Sequence, residues 1–137
     1  TCALPILLSY KHAEAEIDKF MPASRRGSSN TYCGSLIQFP DERIRSARNI
    51  RELQGLFPSR YMKVNLQAYS RHRTVEFRQH SGTISFTKIE NWVCFLDRMI
   101  TFASVGSLPA GIRLEDFPFL GEKQKLYYKL RTKKLAV

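Results

Sequence analysis

Two stretches of this sequence carry side chains whose types and spacing suit chemistry on a charged phosphate. In RHRTVEFRQHSGT, residues 71–83, Thr74, Glu76, Arg78 and His80 alternate with Val75 and Phe77. A period of two sends alternate side chains to opposite faces of a strand, so neighbours on one face stand about 6.7 Å apart. A carboxylate on such a face can ligate Mg²⁺, which takes hard oxygen donors and keeps waters that a phosphate can replace. An arginine two residues on can grip the phosphate oxygens that the metal leaves uncovered. The same alternation also describes an ordinary half-buried strand, in which Glu76 and Arg78 meet only cross-strand partners. The second stretch is SRRG, residues 24–27, inside a loop rich in Ser, Gly and Asn. Backbone amides, hydroxyls and the guanidiniums of Arg25 and Arg26 could clamp a polyphosphate there, or the pair could simply be solvated. No Walker-type glycine pattern occurs, which excludes a P-loop.

A third group lies in the tail. Lys123, Lys125, Lys129, Arg131, Lys133 and Lys134, with Tyr127 and Tyr128 among them, can lie along a nucleic-acid backbone. More often such a helix is an amphipathic cap with a solvated basic face. His12 and His72 have no partner at metal-ligand spacing and are read as incidental. No serine nucleophile elbow is present, and no cysteine has a reason to be activated.

The elements that must position these groups can be read from periodicity. Apolar residues at Leu4, Leu7, Leu8, Tyr10, Ala13, Ile17 and Phe20 predict a helix, with Glu14, Glu16, Asp18 and Lys19 mostly outward and Pro22 as its stop. Residues 22–35 read as a loop. Ser46 is the expected N-cap of a short helix over Ala47 to Leu53. YMKVNLQAY, residues 61–69, alternates Met62, Val64, Leu66 and Ala68 against Lys63, Asn65 and Gln67, which predicts a strand. With SRHR as a turn and RTVEFRQH as the second strand, the two form a β-hairpin. Thr87 with Glu90 makes a capping box for a helix whose apolar face is Ile89, Trp92, Val93, Leu96, Met99, Ile100 and Ala103. Residues 106–121 form a loop, and a basic final helix carries a narrow stripe of Leu126, Tyr127 and Leu130. The fold class expected is α+β, a small antiparallel hairpin or sheet packed against helices.

With 137 residues, 43% hydrophobic and 25% charged, the chain is long enough for one compact domain and too rich in apolar residues for global disorder. A net charge of +10 favours an anionic partner: nucleic acid, a nucleotide or other phosphate, or an anionic membrane surface. The three cysteines, Cys2, Cys33 and Cys94, are odd in number and form no C-x-x-C pair, so neither a zinc site nor a disulfide framework is expected. That usage suits a reducing, cytoplasmic setting. No apolar run approaches the roughly 20 residues of a membrane span, and the opening TCALPILLSY lacks the basic flank of a secretory signal. The first residue is Thr1, which is expected of a processed product or of a piece of a longer chain.

Taken in order, PASRRGSSNTYC, YMKVNLQAY, RHRTVEFRQHSGT and the helix KIENWVCFLDRMI resemble the C-terminal part of the amidoligase family, within the glutamine synthetase-like carboxylate–amine ligases. The resemblance covers roughly residues 3 to 104, so the chain divides into an amidoligase-like region, 1–104, and a basic extension ending in a helix, 105–137. It implies the C-terminal half of a glutamine synthetase-like fold. It also implies a reaction in which MgATP phosphorylates a carboxylate and an amine attacks the acyl phosphate. VEFR matches the family's Glu-x-Arg strand, which implies a metal-binding Glu76 and an Arg78 near the phosphates. His80 and Gly82 fall on the following His-x-Gly, and Arg25 and Arg26 on paired arginines that bind phosphate or substrate. Family members also carry a preceding half, with a Gly-x-His-x-His strand, that completes the metal and nucleotide site. The implied partners are therefore that N-terminal half or a partner chain, together with carboxylate and amine substrates. The alternative is a non-catalytic basic binding or assembly module, for nucleic acid or a protein complex, that keeps half of the ligase fold.

Overall fold

A computed structural model describes residues 3–136. Six helices and one two-stranded antiparallel sheet make an α+β fold: α1 (Ala3–Lys19), α2 (Asp41–Arg45), α3 (Ile50–Leu56), β1 (Val64–Asn65), α4 (Ala68–His72), β2 (Glu76–Phe77), α5 (Phe86–Ala103) and α6 (Glu122–Leu135). Short 3₁₀ turns occupy Ala23–Arg25 and Leu114–Asp116. No helix among the described residues is long and apolar enough to cross a membrane.

Two long helices hold the core. From α1, Leu7, Tyr10, Ala13 and Ile17 are wholly buried; from α5, Trp92, Phe95 and Met99 face them. Phe95 is the hub, stacked on Trp92 with centroids 5.4 Å apart and edge-on to Phe20 and Tyr128. Leu108, Leu114, Phe117 and Leu120 from the segment after α5 join the same cluster.

Local chemistry sets the element ends, and several differ from expectation. Ser46 does not open the third helix; it closes α2, and its hydroxyl donates to the Arg43 carbonyl. Asn49 is the true N-cap of α3, accepting from the Glu52 amide at 2.9 Å. α2 itself follows Pro40 and places Asp41 and Glu42 in its first turn, where the helix dipole favours carboxylates. Ser85, two residues before the expected Thr87, caps α5.

Three burial expectations are also corrected. Glu14 and Glu16 lie inside the protein rather than outward, because Glu14 receives Ser35 and the Leu36 amide while Glu16 receives the Leu114 amide. On α5, Ile89, Val93 and Ile100 are exposed, and with Ile84 and Phe86 they form an uncovered apolar strip. The helix has a wider apolar arc than its described neighbours cover. On α6 the anchor is Tyr128, inserted against Phe20 at 4.2 Å, while Leu126 and Leu130 stay exposed. Burial pushes the Tyr128 phenol far above its ordinary range.

His12, read from sequence as incidental, is not idle. Its Nε2 meets Asp41 at 2.6 Å and its Nδ1 meets the Leu108 carbonyl at 2.5 Å, tying α1 to α2 and to the segment after α5. Lys11 also pairs with Asp41, and these two partners hold the Asp41 carboxyl below the usual range. Cys33 and Cys94 are free thiols; Cys2 lies outside the described residues.

Candidate active site

The expected nine-residue strand is cut to two residues. β1 pairs with β2 through Val64↔Phe77 and Asn65↔Glu76, and the Arg78 amide adds one more bond to the Lys63 carbonyl at 2.8 Å. The ladder stops after Asn65 because Gln54 of α3 takes the Leu66 carbonyl at 2.9 Å, and Gln67 returns a bond to the Gln54 carbonyl at 3.0 Å. Residues 68–72, expected as strand end and turn, coil into α4. Arg73 closes that helix in the left-handed region, at φ 58°. On the other edge of β1, Gly34 donates to the Tyr61 carbonyl at 2.7 Å and accepts from the Lys63 amide at 2.9 Å. A Cβ on Gly34 would come within 3.2 Å of both the Met62 sulfur and the Tyr61 carbonyl, so the close approach suits glycine.

The outer face of this ladder carries Glu76 and Arg78. Asn65 Nδ2 donates to Glu76 Oε2 at 2.7 Å and Arg78 Nη1 donates to Glu76 Oε1 at 2.9 Å, so both carboxylate oxygens are held. Arg78 Nε reaches the Tyr32 carbonyl at 3.2 Å, and its guanidinium lies 5.5 Å from the centre of the Tyr61 ring. The Arg78 side chain is 24% exposed and that of Glu76 47%, which leaves both open to a ligand.

Of the two arginines in the loop, one joins this group. Arg25 Nη1 donates to the Arg78 carbonyl at 3.2 Å, which brings the two residues side by side. Arg26 turns the other way, with Nε on the Met21 carbonyl and Nη2 on the Leu135 carbonyl, and so ties the loop to the end of α6. His80 is carried toward α5, its ring 5.3 Å from that of Trp92. Its Nδ1 faces the Ser81 carbonyl at 2.7 Å, a geometry in which Nδ1 carries the proton and Nε2 keeps the lone pair. Burial lowers its pKa below the ordinary histidine value, and the charges of Arg131, Lys88 and Arg25 add to that.

Beneath the face lies a buried polar floor that periodicity did not reveal. Lys63, expected on the outer side of its strand, is wholly buried; its Nζ lies 2.9 Å from Asp18 Oδ1 and 3.4 Å from Glu14 Oε2. Gln79, also wholly buried, accepts from the Tyr10 hydroxyl at 2.6 Å and donates to Asp18 at 2.5 Å and to the Arg25 carbonyl at 3.1 Å. The other Asp18 oxygen accepts from the Gly27 amide at 2.9 Å. Asp18 and Gln79 therefore pin residues 25–27 against β2. The missed signal was the spacing of Tyr10, Glu14 and Asp18, a polar row at i, i+4 and i+8 along α1. Burial also raises the pKa of Tyr10 and of Cys33 beside this floor.

These residues fit a phosphate better than a metal. Among the described residues no three His, Cys, Asp or Glu side chains gather to hold an ion, and Glu76 stands on its face as a single carboxylate already bonded twice. Arg25, by contrast, is held on the Arg78 backbone carbonyl and Arg78 on Glu76 and the Tyr32 carbonyl, and guanidinium is the donor type that suits phosphate oxygens.

A family model described as "putative amidoligase enzyme" matches residues 10–100, about two thirds of the chain. The match spans the whole site, from Tyr10 of the floor through Arg25 to Glu76, Arg78 and His80. The chain belongs to this amidoligase family. No curated protein and no solved structure matches it significantly.

Proposed function

We propose that this chain supplies the phosphate-gripping wall of an ATP-dependent carboxylate–amine ligase. The single observation that carries the reading is the Arg25–Arg78–Glu76 cluster, held on the ladder by a buried floor and lying within the residues matched to the family. When bound, ATP supplies the phosphoryl group that turns a carboxylate into an acyl phosphate, with ADP as leaving group; the amine nitrogen then displaces phosphate and loses a proton. Arg25 and Arg78 neutralise charge on the phosphate oxygens, and because catalysis of phosphoryl transfer is mainly positioning and charge stabilisation, fixed guanidiniums matter more than mobile ones. Asp18 and Gln79 hold the backbone that bears Arg25, while Asn65 orients Glu76. Glu76 would give a divalent cation one ligand from this chain, the remainder coming from outside the described residues. His80, neutral near pH 7 and with Nε2 unprotonated, serves as acceptor for the proton the amine loses.

One wall does not make a closed site. The uncovered strip of Ile84, Phe86, Ile89 and Val93 supports a second protein wall, either a preceding half of the same enzyme or a partner chain, since apolar rows of this kind usually mark a contact. Under this reading residues 1–104 form the ligase region and 105–137 a basic extension built onto its core.

The test uses the full-length or reconstituted enzyme. ADP release in the presence of its carboxylate and amine should fall by two orders of magnitude or more in Glu76→Gln and Arg78→Met, about 3 kcal/mol of transition-state stabilisation. Unchanged turnover in both variants would remove the basis of the proposal.

A further inference from the structure

A second group of cations outside the ion pairs of the described residues lies along a groove between the start of α5 and the last turns of α6. Its walls are Ser85, Thr87 and Lys88 on one side and Tyr127, Leu130, Arg131 and Lys134 on the other, enclosing about 260 Å³. That is just below the range of small-ligand sites, about 300–1,000 Å³. Three positive charges face this space and no acidic side chain lines it. None of the ion pairs among the described residues involves Lys88, Arg131 or Lys134.

We propose that this groove binds a phosphate group, presented either by a free nucleotide-like ligand or by a nucleic-acid backbone. The helices hold the cations in position. α5 and α6 run antiparallel here, with Arg98 Nη1 on Gln124 at 3.0 Å at one end and the groove at the other. Arg131 Nε is fixed on the Phe20 carbonyl at 2.8 Å, which leaves both terminal nitrogens of its guanidinium for a ligand. Tyr127, Leu130, Arg131 and Lys134 recur at three and four residues, so they share one side of α6 and face the same space. The amides at the start of α5 are not the source of attraction, since Ser85 already caps Lys88 N; the charge comes from side chains. Three cations brought together without counter-charges repel one another, and a phosphate dianion relieves that repulsion while accepting charge-assisted hydrogen bonds.

This site is separate from the Arg25–Arg78 cluster and does not depend on the ligase reading. Four of its seven lining residues come from α6, outside the residues matched to the family.

Two probes added to the isotope-labelled chain at low salt test it: inorganic pyrophosphate and a short oligothymidylate. Saturable amide shifts confined to residues 85–88 and 127–134 are expected. A response to pyrophosphate assigns the site to a free phosphate ligand, and a response to the oligonucleotide alone assigns it to a backbone. Lys88→Gln with Lys134→Gln should weaken the responding probe at least tenfold. For the oligonucleotide, the same pair should make the slope of log affinity against log salt shallower by about 1.4, roughly 0.7 per lost contact. Lys123→Gln with Lys133→Gln, which removes equal charge from the exposed face of α6, should change affinity less than twofold. Melting curves of both double variants confirm that they fold. The proposal is overturned if neither probe binds, if the shifts map only to Arg25 and Arg78, or if both double variants weaken binding equally.

Discussion

Lys63 and Arg78 sit on adjoining segments joined by a backbone hydrogen bond, and each pairs with carboxylates, yet their surroundings differ completely. Lys63 is sealed between Glu14 and Asp18 with no exposed surface, and every neighbour of that pair has a further partner in Ser35, Leu36, Gly27 or Gln79. Arg78 and Glu76 meet at a similar distance, 2.9 Å, but at the surface, with Asn65, Tyr32 and Tyr61 as supports. Water explains the difference in use. A buried ion loses several kcal/mol of hydration, so it persists only where its hydrogen bonds are saturated, and a saturated group has nothing left to offer a ligand. An exposed pair holds together by roughly 1 kcal/mol or less and can exchange its partner for a substrate oxygen at little cost. The same residue types thus build a rigid floor on one side of the ladder and an exchangeable surface on the other.

Breaking the floor should have the largest effect. Lys63→Met leaves the buried Glu14 and part-buried Asp18 carboxylates without their counter-ion, and the expected loss is about 3–5 kcal/mol in urea unfolding; a loss below about 1 kcal/mol would show that the floor is wetter than its burial indicates. Gln79→Leu comes next, since it strands the Tyr10 hydroxyl and one bond of Asp18. A loss of about 1–3 kcal/mol is expected in the same measurement, with looser binding of phosphate at Arg25 because the carbonyl that Gln79 holds is freed. His80 lies between the two regimes. Its folded pKa is depressed from 6.5, so the unfolded chain takes up the proton first as pH falls. Its contribution is therefore complete above 6.5 and lost as pH drops from 6.5 toward the folded value; urea midpoints should decline over that window, and His80→Asn should flatten the decline. The smallest effect belongs to the outer pair. Glu76→Gln should change stability by no more than about 1 kcal/mol while removing turnover, and a larger loss would move Glu76 from the surface to the framework.

Much of the molecule was legible from residues alone because it depends on local pattern. α1 and α5 follow from 3.6-residue periodicity, the hairpin's location from period-two alternation around 61–69 and 74–80, and the membership of the family from the strings around Arg25 and Glu76. The caps were misplaced by two or three residues because several hydroxyl and amide side chains compete at each start, and only the folded backbone chooses among Ser46, Asn49, Ser85 and Thr87. Lys63 was misread for a deeper reason. Alternation assumes that one strand face meets water, whereas β1 lies between α1 and the ladder's neighbours with both faces covered, so its polar residues had to find buried partners.

The sequence by itself determined the long helices α1, α5 and α6, the α+β class and the family, since these rest on short-range periodicity and on residues close together in the chain. Only the tertiary structure decided which arginine of the pair 25 and 26 meets Arg78, which carboxylates neutralise Lys63, and which faces of α5 and α6 stay open. Those outcomes turn on contacts between residues tens of positions apart, where competition for a limited buried volume and for every buried hydrogen-bonding group, rather than local preference, settles the arrangement.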